Sequence, residues 1–598
     1  MLPYNFLFFH GSRTCFGHTS HIRTLMWKVS ITLCFFLFAL TGFHSFAQSP
    51  PSGIYPKGYF IKPLNIPASL AGNFGELRPN HYHMGLDFKT NRVENLQVHA
   101  AADGYIARIK IESFGFGRAI YINHPNGLTT VYAHLNAFFP ELEKYVKQQQ
   151  YRLESWNVYL DIPAGMFPVK KGQFIAGSGN TGGSQGPHLH FEIRNTAMDT
   201  NLNPLLFGFP IADNIPPVIQ RLAVYDRNKS TYEQSPQLIA VKKTANGYIT
   251  VPSTITVSSD KVSFAVTSYD AQSASPNHNG VFQGILYDNI AEVIRFTMDT
   301  ISYYDTRYLN AHIDYKTKAG GGPYLQHLSE LPGYINSIYR QQKGNGVIRL
   351  AEGDVRDIRI EIKDADNNMA VLRFKIRYKK APVGPAPAAG KMCYPLMVNV
   401  GEGSEDCEFY IGERGLYDSA RITYRRSAST NPAVVSAVHT IGSAHIPLQE
   451  SFIIRIQPDT ALPQEKMSRV VMQRFSGTKK EIAKPEWQNG WAMAKFSSFG
   501  SFQLVLDETP PEIIPVGFKS GQDMSKAPGL VFTAADNMGG IKNFRAELDG
   551  KWLRFTNDKG KRFIYTFDEQ CLPGEHTLKI SIADEAGNTA AQLFTFTR

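Results

Sequence analysis

Two H-x-H pairs occur in the N-terminal third of the chain, His81 with His83 and His188 with His190. With 17 histidines among 598 residues, roughly half of one such pair is expected by chance, so only the surroundings separate signal from coincidence. Around the second pair, Gly186, Pro187, His188, Leu189, His190, Phe191 and Glu192 follow a glycine-rich stretch from Gly177 to Gly183. Residues two apart on a strand share a face, so His188 and His190 are expected to point into one site, one as a metal ligand and the other free beside it. His83, Gly85 and Asp87 have the same spacing, which predicts one strand face with no side chain at Gly85 to block an ion. Imidazole and carboxylate are donor types that zinc accepts, and three protein ligands with one open position define a catalytic rather than a structural site.

The elements that must hold these residues read as β structure. Gly104 to Ile111, Arg118 to Asn123 and Leu128 to Leu135 are short β-rich runs, and the last two flank Pro125, Asn126 and Gly127. An Asn-Gly pair between alternating strands is a strong hairpin signal, so the region is expected to be antiparallel. Within it, Glu141, Leu142, Tyr145, Val146 and Leu153 have helical spacing, which places an inserted helix or long loop over 140–156, as a packing element or a lid.

With these motifs assembled, His83-x-x-x-Asp87, Tyr132-Ala133-His134-Leu135 and the run from Gly186 to Glu192 resemble the lysostaphin-type (LytM-like) zinc metalloendopeptidases, which act on peptidoglycan. The resemblance covers only about the first third of the mature chain. It implies one zinc per chain, held by His83, Asp87 and His190, with His134 and His188 unligated beside it as the catalytic pair. The chain departs from the family pattern in a long insertion after His134, and in Gln185, where a small hydroxyl residue usually precedes Gly-Pro-His. A non-catalytic envelope regulator, binding peptidoglycan or activating another hydrolase, is the alternative reading. Elsewhere, His81 reads as a surface or hydrogen-bonded residue, and His99 and His124 as structural. Glu192 reads as a carboxylate behind His190 or as a surface charge.

The rest of the chain is longer than one core can serve. Asp213, Pro216, Pro217 and Ile219 recur as Asp507, Pro510, Pro511 and Ile513. The alternating run Ile358, Ile360, Ile362 before Asp364 and Asn368 recurs as Leu578, Ile580, Ile582 before Asp584 and Asn588. These repeats predict immunoglobulin-like β-sandwich modules, with the repeated Asp and Asn read as turn-making in preference to calcium binding. The expected layout is a signal peptide over 1–47, with translation starting at Met26, then a metallopeptidase domain over 48–212 with an inserted segment at 138–167. A β-sandwich module over 213–380, a β-rich module over 391–506 and a second β-sandwich module over 507–598 follow. The fold class is therefore mainly β. The apolar run from Ile31 to Leu40 before Ala47 predicts export, periplasmic or beyond, with no transmembrane span in the mature chain. The charge of +10 comes from scattered Lys and Arg without interleaved aromatics, which excludes nucleic acid as the expected partner. Peptidoglycan, and an envelope protein bound through the C-terminal modules, are the expected partners. Cys393, Cys407 and Cys571 are too few for a disulfide framework, leaving one 393–407 bridge or reduced core thiols.

Overall fold

A computed structural model describes residues 55–273, 275–334, 337–380, 389–560 and 562–598. The expected signal segment over 1–47 and most of the Pro- and Ala-rich linker near 381–390 lie outside the described residues. From Tyr55 to Arg598 the chain forms one compact unit and is mainly β. Among the described residues, no helix is long and apolar enough to cross a membrane.

The N-terminal region is built on an antiparallel sheet. Its strands are β1 (Leu70–Gly72), β2 (Leu86–Lys89), β3 (Gly104–Ile111), β4 (Arg118–Asn123) and β5 (Leu128–Ala133), then β6 (Val158–Asp161) inside the inserted segment and β7 (His188–Asn195) beyond it. They lie in the order β1-β2-β7-β5-β4-β3-β6. The β4–β5 hairpin turns where the Asn-Gly pair predicts, with Gly127 at φ 78°, a left-handed conformation that favours glycine. Successive residues of β4, β5 and β7 are buried, so both faces of the sheet are covered, and on β7 the alternate residues His188, His190, Glu192 and Arg194 are polar. A rigid central strand, β7, thus carries the Gly-Pro-His-Leu-His motif.

The insertion forms helix α1 (Pro140–Arg152), with Pro at its first turn, Glu141 and Glu143 near its N-terminus and Arg152 at its end, each suited to the helix dipole. Leu142 and Val146 bury one face. On its other side, Lys147 pairs with Asp568 (2.7 Å) and Glu569 (2.8 Å), Tyr151 meets Trp552 edge-on at 5.3 Å, and Gln150 accepts a hydrogen bond from Arg554 at 3.1 Å. The helix is thus a platform on which the last β module packs.

A short strand, β8 (Asn201–Leu202), pairs with β7 and also with β9 (Thr300–Ile301), so the ladder bearing the site continues into the following module. Strands between Val218 and Tyr378 form one hydrogen-bonded set of twelve, its two halves joined through the parallel pairing of Gly247–Val257 with Met369–Tyr378. Residues 399–506 form two five-stranded sheets, and 512–597 a three-stranded and a five-stranded sheet. The sequence repeat becomes one clasp made twice: the Asn368 amide donates to the Asp213 carbonyl at 3.3 Å, and the Asn588 amide to the Asp507 carbonyl at 2.9 Å. Cys393, Cys407 and Cys571 are buried free thiols.

Candidate metal centre

The register of β7 sets the site. His190 stands directly opposite Asp87 of β2 on one side and Ala133 of β5 on the other, which brings Asp87, His190 and the neighbouring His134 together. The expectation that His83, Gly85 and Asp87 share one strand face is corrected. The strand His81–Tyr82 ends before His83, and β2 starts only at Leu86. Gly85 permits this break, because a Cβ there would lie 2.4 Å from the Phe191 carbonyl oxygen. Its role is close backbone approach to β7, and His83 reaches Asp87 across an irregular turn.

His83 Nε2, Asp87 Oδ1 and His190 Nδ1 lie 2.9 to 3.0 Å from one another, and all three residues are buried. The outward nitrogens explain what converges. His83 Nδ1 donates to the Asn73 carbonyl at 2.8 Å, and His190 Nε2 to Glu192 Oε1 at 2.9 Å. Neutral rings held this way turn unprotonated nitrogens toward a carboxylate oxygen, so three lone-pair donors meet with no proton between them. That arrangement fits a cation, and imidazole with carboxylate is a donor set for zinc.

The electrostatics show the alternative to a cation at this point, a proton shared between Asp87 and His190. Burial pushes His83 down to about 4, with Asp87 opposing it. Burial alone would raise Asp87, yet the charge of His83 and hydrogen bonds from His188, His190 and His83 hold its carboxyl well below the usual range. Burial likewise acts to lower His190, but hydrogen bonds to Asp87 and Glu192 outweigh it and bring it up to about 9. Asp87 Oδ2 accepts from Arg78 at 2.5 Å, which leaves Oδ1 for the cluster.

His134 and His188 flank these donors, their ring centroids 4.7 Å apart. His134 follows β5 at φ 59°, a left-handed conformation that a non-glycine residue adopts only under local constraint. Its Nδ1 donates to the Thr181 carbonyl at 2.8 Å, and burial, reinforced by His188 and His190, lowers it to about 3. His188 Nδ1 donates to the Gly186 carbonyl at 2.8 Å and lies 3.1 Å from Ser184 Oγ. Thus Ser184, one residue before Gln185, places a hydroxyl against His188. A cleft of about 1010 Å³ opens beside this group, lined by Asp87, His134, Ser184 and His188, and by Pro276 and Asn277 of the next module.

Around the cluster the open readings resolve. Glu192 is fully buried and backs His190; Arg194 donates to its Oε2 at 2.8 Å and Tyr303 to its Oε1 at 2.5 Å. His81 is exposed and bonds the Pro79 carbonyl, and His124 is buried between the Asp103 carbonyl and Thr130. His99 is buried in the strand Gln97–His99, away from the cluster. Sequence reasoning missed Arg78, Ser184 and Tyr303. Ser184 lies close enough to the motif to have been noticed, whereas nothing in the spacing points to Tyr303.

Comparison with known proteins adds to this geometry. The model of peptidase family M23 matches residues 81–151 and 164–204, and that of the Zu5-like domain matches 399–507. The chain is 32% identical over 163 residues to an uncharacterized metalloprotease of Haemophilus influenzae, covering 26% of this chain and 28% of that protein. It is 32% identical over 158 residues to the DD-carboxypeptidase/endopeptidase Mpg of Neisseria meningitidis serogroup B, covering 26% of this chain and 30% of that protein. The matched stretch therefore spans less than a third of these curated relatives. The catalytic domain of lysostaphin from Staphylococcus simulans is 24% identical, with a TM-score of 0.18, over 23% of this chain and 91% of that one. The N-terminal region of the chain, on the residues that build the metal centre, matches peptidase family M23, the LytM-type family.

Proposed function

We propose that the chain is an exported zinc endopeptidase of the cell envelope that cuts peptide bonds of peptidoglycan, with zinc held by His83, Asp87 and His190. The observation that carries this is the convergence of three buried donor atoms within 3.0 Å, both imidazoles keeping their protons on the outer nitrogens, where they donate to the Asn73 carbonyl and to Glu192. Zinc bound there would supply Lewis acidity toward a scissile carbonyl and lower the pKa of water. The chain's own residues do the rest. His134 and His188 each commit Nδ1–H to a backbone carbonyl, which leaves Nε2 as a proton acceptor beside the cluster. One of the two acts as general base toward the attacking water and the other stabilises the developing oxyanion. Substrate class rests on the family match and on the DD-carboxypeptidase/endopeptidase relative, and the open cleft admits an extended peptide. The C-terminal modules position the enzyme or bind an envelope partner.

The test is digestion of purified sacculi by the full chain beside His134→Ala and His188→Ala. We expect muropeptide release by the wild type and a loss of about 10²- to 10⁴-fold in each variant with zinc retained. A zinc-loaded wild type that releases nothing, or variants as active as it, would contradict the reading.

A further inference from the structure

A second group of acidic oxygens lies where the first β module meets the N-terminal region, outside the site above. Asp213 precedes the module's first strand, Asp270 lies on the strand Lys261–Ala271, and Asp364 follows the strand Val355–Lys363. One carboxylate oxygen from each lies within 4.8 Å of the others. The cavity they share is also lined by Gln272, Asn279 and Asp366. Three neutral or charged oxygens facing it have no hydrogen-bond partner: Asp270 Oδ1, Gln272 Oε1 and Asn279 Oδ1, on residues only 3 to 5% exposed. Buried acceptors are normally satisfied, and three orphaned oxygens in one acidic cavity point to a missing cation. The charged groups acting on Asp270 are themselves carboxylates, Asp213, Asp364 and Asp366.

The arrangement recurs in the last module. Asp507, Asp536 and Asp584 occupy the same three topological places, before the first strand, after Gly529–Ala535 and after Glu575–Ala583. There the Asn537 amide donates to Asp507 Oδ1 at 3.1 Å, supplying a donor from the protein. Both clusters leave carboxylate oxygens without partners, Asp270 Oδ1 in the first module and Asp507 Oδ2 and Asp536 Oδ1 in the last, and the first adds the orphaned amide oxygens of Gln272 and Asn279.

We propose that Asp213, Asp270 and Asp364, with Gln272 and Asn279, bind one calcium ion. An all-oxygen set of carboxylates and amide carbonyls on irregular backbone suits calcium, which takes six to eight oxygens in flexible geometry, better than magnesium, which demands a near-ideal octahedron. The site sits on a link to the metal centre. Asn279 is followed by Gly280, which exchanges hydrogen bonds of 2.8 Å in both directions with the Asn73 side chain, and the Asn73 carbonyl holds His83 Nδ1. Calcium at this junction therefore stiffens the seat of His83 from the module's side.

The experiment is thermal unfolding and terbium luminescence on the full chain, stripped with a calcium-selective chelator and with zinc content checked before and after. Calcium is expected to raise Tm by about 3 °C or more at saturation, and magnesium at the same concentration by clearly less. Asp270→Asn is expected to lose terbium binding and the calcium shift at this site while folding in calcium-free buffer, and Asp536→Asn to keep both. A wild type indifferent to millimolar calcium, or an Asp270→Asn protein that responds like the wild type, would overturn the proposal. Both readouts are taken without peptide hydrolysis, so they stand or fall independently of the proposed activity.

Discussion

His83 and His190, the proposed metal ligands, are each oriented by a hydrogen-bond partner, and of these only Glu192 was visible from the neighbouring sequence. His83 is turned by the Asn73 carbonyl, and His190 by Glu192, which is itself held by Arg194 and by Tyr303, 111 residues further along the chain. Partners of this kind fix the tautomer and orientation of a ligand, and their loss commonly weakens metal binding ten- to a hundredfold. Tyr303→Phe is accordingly expected to weaken zinc binding by about 10-fold, read by competition with a chromophoric chelator, with the fold intact. At this scale the sequence was legible wherever chemistry sits in a motif: His83, Asp87, His134, His188 and His190 are brought together as the resemblance implies. Tyr303 and Arg78 were not, because a contact made across a module boundary or between two short strands that are not paired with each other leaves no period to read.

The elements carry the next part of the account. Alternation and the Asn-Gly turn announced the β4–β5 hairpin, and helical spacing announced α1. The break at His83 was hidden, since spacing of two is shared by a strand and by a turn that happens to bring the same atoms together. The glycine-rich loop depends on a contact of backbone with backbone: Gly182, at φ 69°, would place a Cβ 2.2 Å from the Gly117 nitrogen. Neither side can yield, and the adjacent Thr181 carbonyl orients His134. Gly182→Ala should therefore lower Tm and reduce kcat more than it changes KM, measured by calorimetry and peptide hydrolysis. In the first module, His312 and His327 are fully buried, and burial brings each down to about 3. Their folded pKa lies below the ordinary 6.5, so the unfolded chain binds more protons between about 3 and 6.5, and stability is lost as pH falls through that window. At pH 5 each costs up to about 2 kcal/mol relative to neutral pH. Denaturant unfolding at pH 7 and 5 should show this loss, and His327→Leu should reduce it.

Taken whole, the molecule folds its last module back onto its first region. Asp558 accepts from the Gly182 nitrogen at 2.7 Å, and Lys559 donates from its backbone to Ser113 and from Nζ to Ser184, each at 2.8 Å. The loop bearing these residues holds the glycine-rich segment that positions His134 and His188. Replacing both Asp558 and Lys559 with Ala is expected to lower hydrolysis several-fold and to expose the last module to limited proteolysis, seen by mass spectrometry of the fragments. The repeats in the sequence disclosed two related modules, but this return contact is set by surfaces far apart in the chain and has no local signature. The most direct measurement is the zinc content of the purified full chain beside His190→Ala, by inductively coupled plasma mass spectrometry. About one zinc per wild-type chain, lost in the variant, is the predicted result. A wild type that binds no zinc, or a His190→Ala protein that binds as much, would contradict the account.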